Sequence, residues 1–190
     1  MVSTSLDPAS WSWILAKFCI EELRALDCEP SLLDLREQQL PLFDNDKVYG
    51  STLVRDVWHR IFNAKGVVLA SPTYNWGCCS ELKRLIEITG STDSTPGVHG
   101  AWYDKILTFV NSAGLPYSYI AFATLAVSMM LDYKCIINPY NVYIHDRQWQ
   151  RGSLCQEGQQ RIRKSNGLHS PIRVVGQLSL RPRKRNVYLS

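Results

Sequence analysis

Two short runs limit what this chain can fold into. Val67-Val68-Leu69-Ala70 is wholly apolar, and Ile106-Leu107-Thr108-Phe109-Val110 is broken by one threonine. A strand without polar alternation is buried on both faces, as in a parallel sheet. Parallel neighbours need a long crossover, usually a helix. The sequence between the runs supplies one: Ser80 opens a helical period through Leu82, Leu85, Ile86 and Ile88, and Gly90 ends it.

The same alternation extends in both directions. Ser10 or Ser12 caps a helix with Leu15, Cys19, Leu23 and Leu26 on its apolar stripe, flanked by Ile14 and Phe18. Leu32-Leu33-Asp34-Leu35 follows Pro30 as a short strand. After a loop with Pro41, Asp44, Asn45 and Gly50, a helix carries Leu53, Val57 and Ile61, and Gly66 stops it. Tyr117 to Leu131 reads as an apolar helix with Ile120, Thr124, Val127 and Leu131 in register. Cys135-Ile136-Ile137 opens a last strand, which Val142-Tyr143-Ile144 extends past Pro139, and an amphipathic stretch lies near 156–164. No internal repeat is visible. This order predicts an α/β fold with a doubly wound parallel sheet between two helical layers. The first helix should follow a central strand, yet only Met1 and Val2 precede the loop, so that strand is expected to be truncated or the recorded start late.

Charge divides the chain. From Arg161 onward there are eight Lys/Arg and no Asp/Glu, whereas residues 1–160 hold 13 basic and 17 acidic groups. A uniformly basic nucleic-acid binder would not look like this. Residues 1–160 are therefore read as the folded domain and 161–190 as a basic, irregular extension. Its run Arg181-Pro182-Arg183-Lys184-Arg185 reads as a solvated or disordered tail rather than as a contact for an acidic partner or nucleic acid. No apolar run approaches the roughly 20 residues of a membrane span, and no signal peptide is expected, which points to the cytoplasm. Six cysteines without metal-type spacing read as buried free thiols. The histidines stand singly, so no metal site is expected.

In an open α/β sheet, ligands bind beyond the carboxyl ends of the strands. Three loops belong to that edge. Ser3 to Ser12 clusters hydroxyls before a helix N-terminus, which suits a phosphate or is an ordinary Ser-rich capping turn. Ser71-Pro72-Thr73-Tyr74-Asn75-Trp76-Gly77 offers flat aromatic surface beside a side-chain amide. That mixture suits a planar heterocycle with polar edges, or an anchored surface loop. Asn111-Ser112-Ala113-Gly114 is made of small residues that let a ligand approach the backbone, or is a simple turn. The Walker and GxGxxG patterns are absent.

Taken in order, these loops resemble those of the NADPH-dependent FMN reductase family of flavodoxin-like proteins. Ser5-Leu6-x-x-x-Ser10 resembles its phosphate loop, and Asp34-Leu35-Arg36 with Leu40-Pro41 the segment after its second strand. Ser71-Pro72-Thr73-Tyr74-Asn75 followed by Leu82-Lys83 resembles its most specific motif, and Ser112-Ala113-Gly114 its third flavin loop. The resemblance covers about residues 2–145 and implies bound FMN, a dimer or tetramer, and electrons passing from NADPH or NADH to a small-molecule acceptor. It places Ser5, Ser10 and Ser12 at the FMN phosphate, Pro72, Thr73, Tyr74 and Asn75 beside the isoalloxazine ring, and Ser112, Ala113 and Gly114 at its other edge. Hydride chemistry belongs to the flavin, so no dedicated catalytic residue is expected. Thr4, Asp7, Trp11 and Trp13 depart from the family pattern, and Asp7 sets a negative charge where the phosphate would lie. Three readings follow: an FMN-dependent NAD(P)H oxidoreductase acting on a flavin, quinone or similar acceptor; a flavodoxin-like electron carrier; or a non-catalytic relative serving as an interaction module.

Overall fold

The computed structural model describes residues 1–90, 100–150 and 152–164. The chain runs β1 (Val2–Ser3), α1 (Trp11–Arg24), β2 (Leu33–Asp34), a 3-10 turn at Lys47–Gly50, α2 (Thr52–Asn63), β3 (Gly66–Tyr74), β4 (Gly77–Cys78) and α3 (Ser80–Gly90). It continues with β5 (Ile106–Ala113), a 3-10 turn at Ser118–Ile120, α4 (Ala123–Tyr133), β6 (Ile136–Ile137) and β7 (Val142–His145). A small hairpin of β8 (Trp149–Gln150) and β9 (Ser153–Leu154) leads into α5 (Gln156–Lys164). His99, His169 and the basic run Arg181–Arg185 lie outside the described residues.

The sheet is parallel in the order β2-β1-β3-β5-β6, a flavodoxin-like arrangement. β6 and β7 both pair with β5, so they are two halves of one edge strand broken around Pro139. Asn141 bridges the break by accepting the Phe109 N–H at 2.9 Å. β1 is central despite its two residues: Val2 and Ser3 pair with Leu33 and Asp34 on one side and with Leu69 and Ala70 on the other.

Helices cover both faces. On one, Val54, Val57, Ile61, Leu82, Leu85, Leu125 and Met129 pack with Leu69, Leu107 and Phe109. On the other, Leu15, Cys19 and Leu23 pack with Val68, Val110, Val142, Ile144 and Ile162 of α5. No helix among the described residues is long and apolar enough to cross a membrane.

Several sequence expectations shift. β3 and β5 continue through Tyr74 and Ala113, so most of the second and third loops is strand. Pro72 is tolerated there because it lies beyond the last β1 pairing, at Ala70. The helix expected from Tyr117 is divided, and the stripe Ile120, Thr124, Val127 and Leu131 faces outward. The sheet instead takes Leu125, Ala126, Met129 and Tyr133. A helix apolar all round offers two faces, and its own period does not choose between them. Ser10 is the N-cap residue of α1 but makes no side-chain cap, because its hydroxyl pairs with Ser12. Cysteines 19, 79 and 135 are buried as expected, whereas 28, 78 and 155 are half-buried; all six are free.

Candidate functional site

β1, β3, β5 and β7 point the same way, so their carboxyl ends share one edge. The first loop leaves β1 anchored to β3. The Thr4 N–H donates to the Ala70 carbonyl at 3.1 Å, and its hydroxyl reaches the same oxygen at 3.2 Å. Thr4 Oγ1 also lies 3.1 Å from Cys79 Sγ, at the start of α3. Ser5, Ser10 and Ser12 are all buried. The Asp7 N–H donates to Ser5 Oγ at 3.2 Å, the Ala9 N–H to Asp7 Oδ1 at 2.8 Å, and the two hydroxyls of Ser10 and Ser12 stand 2.6 Å apart.

An ion pair between buried Asp34 and half-buried Arg36 braces this loop from the end of β2. Arg36 Nε donates to Asp34 Oδ2 at 3.0 Å and Nη2 to the same oxygen at 2.5 Å. Arg36 Nη1 reaches the Pro8 carbonyl at 3.3 Å, and its guanidinium lies over the Trp13 ring at 4.7 Å. Donating to the Asp34 carboxylate raises the pKa of the Arg36 guanidinium above its ordinary value. The resemblance pointed to Asp34-Leu35-Arg36, but the sequence did not show that the pair reaches the first loop.

The second segment is a tight hairpin. Thr73 pairs with Cys78 and Tyr74 with Gly77 across two turn residues, Asn75 (φ 50°) and Trp76 (φ 61°). Two consecutive left-handed residues make a type I′ turn, which favours Asn-Gly. Asn75 suits its place. Trp76 does not, and an L-residue held there costs about 1–2 kcal/mol. Because Trp76 is largely exposed, Trp76→Gly is expected to raise stability by about 1 kcal/mol in urea unfolding, and no gain would mean that the turn is unstrained. Tyr74 and Trp76 are 53% and 57% exposed, so two aromatic rings stand at the rim. Beside them, Thr73 Oγ1 is buried with no partner. Burial pushes the pKa of the Cys78 thiol above its ordinary value, reinforced by neighbouring Cys79.

The third segment lies directly beside the second. Pro72 pairs with Ser112 in the ladder, and Ala113 pairs with His145. Ser112 and Ala113 are buried, and Gly114 follows at the open end. A Cβ added at Gly114 would meet nothing within 4 Å, so the fold itself does not require glycine there. The structure thus joins Pro72–Asn75 to Ser112–Gly114 in one strip. Ser5, Ser10 and Ser12 stand at the same edge, tied to β3 through Thr4.

One feature of this edge was not read from the sequence. A cavity of about 550 Å³ opens beside the third segment, lined by Pro116, Tyr119, Tyr140, Asn141, Tyr143 and His145 among others. The Tyr143 hydroxyl donates to the Leu115 carbonyl, tying the cavity wall to that segment. Its residues come from the segment after β5 and from the stretch that enters and forms β7, so no local motif announces it.

A family model described as NADPH-dependent FMN reductase matches residues 1–141. No curated protein matches the chain by sequence. Among solved structures, a flavoenzyme NAD(P)H:(acceptor) oxidoreductase from Paracoccus denitrificans superposes with TM-score 0.66 at 18% identity, over 94% of this chain and 92% of that one. An NADH:FMN oxidoreductase in its apo form gives TM-score 0.67 at 12% identity, over 97% and 89%. An azoreductase from Bacillus anthracis gives 0.55 at 15% identity, over 94% and 96%. At these identities the likeness to the three structures is one of fold.

Proposed function

The chain belongs to the NADPH-dependent FMN reductase family, and from that premise we propose that it is a cytoplasmic, FMN-dependent NAD(P)H oxidoreductase. Its hydride acceptor beyond the flavin would be a second flavin, a quinone or a similar small molecule. The observation that carries this reading is the strip formed by Pro72 and Ser112, paired at the carboxyl edge beside exposed Tyr74 and Trp76. It lies next to the place where the strand order reverses, between β1 and β3. Flat rings with backbone polar groups between them suit a planar heterocycle. The unpartnered Thr73 hydroxyl is a polar group waiting for a contact at that same rim.

On this reading Pro72, Thr73, Tyr74 and Asn75 border the isoalloxazine ring. Ser112, Ala113 and Gly114 border its other edge, and Ser5, Ser10 and Ser12 lie toward the phosphate end. FMN, when bound, supplies the hydride chemistry. The residues of this chain hold the ring, exclude water from one of its faces and present backbone N–H groups to its polar edge; no side chain is assigned as general base. The ring end of the site fits these residues. The phosphate end fits poorly, because the carboxylate of Asp7 stands in the first loop.

Saturable quenching of FMN fluorescence by the folded chain tests this reading. Gly114→Ala should leave the fold unchanged and weaken flavin binding about tenfold, since the new methyl group is clear of protein but would stand in the ligand's space. An unchanged dissociation constant would remove Gly114 from the site, and no quenching at all would reject the flavin.

A homo-oligomer belongs to the same proposal, and the outward stripe of α4 supports it. Val127, Met130 and Leu131 are 52%, 47% and 68% exposed, with Ile120 and Ile136 also exposed. An apolar patch of this kind marks an interface more often than a solvated face. Leu131→Glu should shift the chain to a monomer in sedimentation, and an unchanged mass would place the contact elsewhere.

A further inference from the structure

We infer that Asp7 makes the first loop indifferent to a flavin's terminal phosphate, so that the chain holds flavins by the ring and takes riboflavin about as well as FMN. This inference rests on the flavin reading above and refines its ligand class.

A loop that binds a phosphate dianion leads N–H and hydroxyl donors toward the anion and keeps other negative charge away. The loop after β1 fails the second condition and meets the first only in part. The Ala9 N–H donates to Asp7 Oδ1 at 2.8 Å, so a carboxylate already takes one of the loop's donors. The Asp7 N–H donates to Ser5 Oγ at 3.2 Å, and the Ser10 N–H to the Asp7 carbonyl at 3.1 Å. Ser10 and Ser12, both buried, pair with each other at 2.6 Å. The N–H groups of Asp7, Ala9 and Ser10 and one of the two hydroxyl protons of Ser10 and Ser12 are thus engaged within the protein, and the loop carries an anion of its own.

Nearby positive charge does not restore the balance. Arg36 is fastened to this loop through the Pro8 carbonyl, but its Nε and Nη2 are committed to the Asp34 carboxylate. Asp7 itself is exposed, on the side open to solvent. A phosphate arriving there meets like charge, which offsets whatever donors it can recruit. The ring strip at Pro72 and Ser112 is untouched by this and binds phosphorylated and unphosphorylated flavins alike. A flavin held without its phosphate anchor exchanges with solution. It then acts as a diffusible substrate that accepts hydride from NAD(P)H and leaves, rather than as a resident group.

Equilibrium titrations of FMN and of riboflavin, read by quenching of flavin fluorescence, test this on the full chain, on Asp7→Asn and on Asp7→Ser. Asparagine can keep the hydrogen bond to Ala9 while removing the charge; circular dichroism checks that each variant is folded. The expected result is that the unaltered chain binds the two flavins within about threefold of each other. Both substitutions should then tighten FMN about tenfold or more and leave riboflavin within about twofold. The inference is overturned if the unaltered chain prefers FMN about tenfold or more, or if both variants leave the preference unchanged. If neither flavin binds to any of the three folded proteins, the flavin reading itself falls, and this inference with it.

Discussion

Replacing Trp102 with alanine is expected to cost about 3–5 kcal/mol of stability, the range for deleting a fully buried large side chain. Trp102 has no exposed surface and sits between the end of α3 and the start of β5. Its indole N–H donates to Thr89 Oγ1 at 2.8 Å, and that hydroxyl in turn donates to the Leu85 carbonyl at 2.5 Å. Its carbonyl accepts the Cys135 thiol at 3.2 Å. The ring therefore fastens the end of α3 to the segment that enters the central strand β5, while the backbone carbonyl of the same residue meets the approach to the edge strand. The surroundings cannot easily close over the hole, because the backbones there are already in contact. A Cβ on Gly100 would come within 2.0 Å of the Gly90 carbonyl oxygen. Trp102→Phe, which keeps most of the volume and loses the indole hydrogen bond, should cost about 1–2 kcal/mol. Urea unfolding separates the two variants. Trp102 lies at the amino edge of the sheet, opposite the candidate site, so the folded fraction of either variant should bind flavin as before. A loss under about 1 kcal/mol for the alanine variant would mean that this packing does not hold α3 to the sheet.

Removing Asp34 should cost about 2–3 kcal/mol. That is below the figure for a wholly buried pair, because the Arg36 side chain is 21% exposed whereas Asp34 is 2% exposed. The carboxylate also accepts the Arg36 backbone N–H at 3.1 Å, so alanine leaves both a guanidinium and an amide without their acceptor. The effect should extend beyond stability. Once free of Asp34, Arg36 no longer holds the Pro8 carbonyl in place, and its charge becomes available to the first loop. Asp34→Ala is therefore expected to tighten FMN relative to riboflavin, in the same direction as removing the charge at Asp7. The double variant with Arg36→Ala should recover part of the stability and lose the gain in FMN binding. A strictly additive double variant would show that the pair is not coupled.

Both buried runs, at Val67–Ala70 and Ile106–Val110, could be read directly, because unbroken apolar strands with a helix between them leave little choice but a parallel sheet. The three-loop edge was legible for the same reason. Other features depended on tertiary contacts. The end of β3 was hidden because its turn carries Trp76 where the favoured residue is glycine, so nothing in the sequence announces a hairpin. The outward face of α4 was hidden because the helix is apolar all round, and the sheet's preference for Leu125 and Met129 is a matter of packing. Within the site, the serines of the first loop were visible as donors. That Ser10 and Ser12 pair with each other, and that the Asp7 carboxylate takes the Ala9 N–H, are properties of the folded loop that bear on what it can bind.

The most direct test of the account is the rate of NADPH oxidation by the purified chain at rising FMN concentration, with a quinone supplied as acceptor. The account predicts a saturable, flavin-dependent rate well above the protein-free mixture, reduced by Gly114→Ala in a protein of unchanged fold. A folded chain that leaves NADPH oxidation at the protein-free rate at every flavin concentration would contradict it.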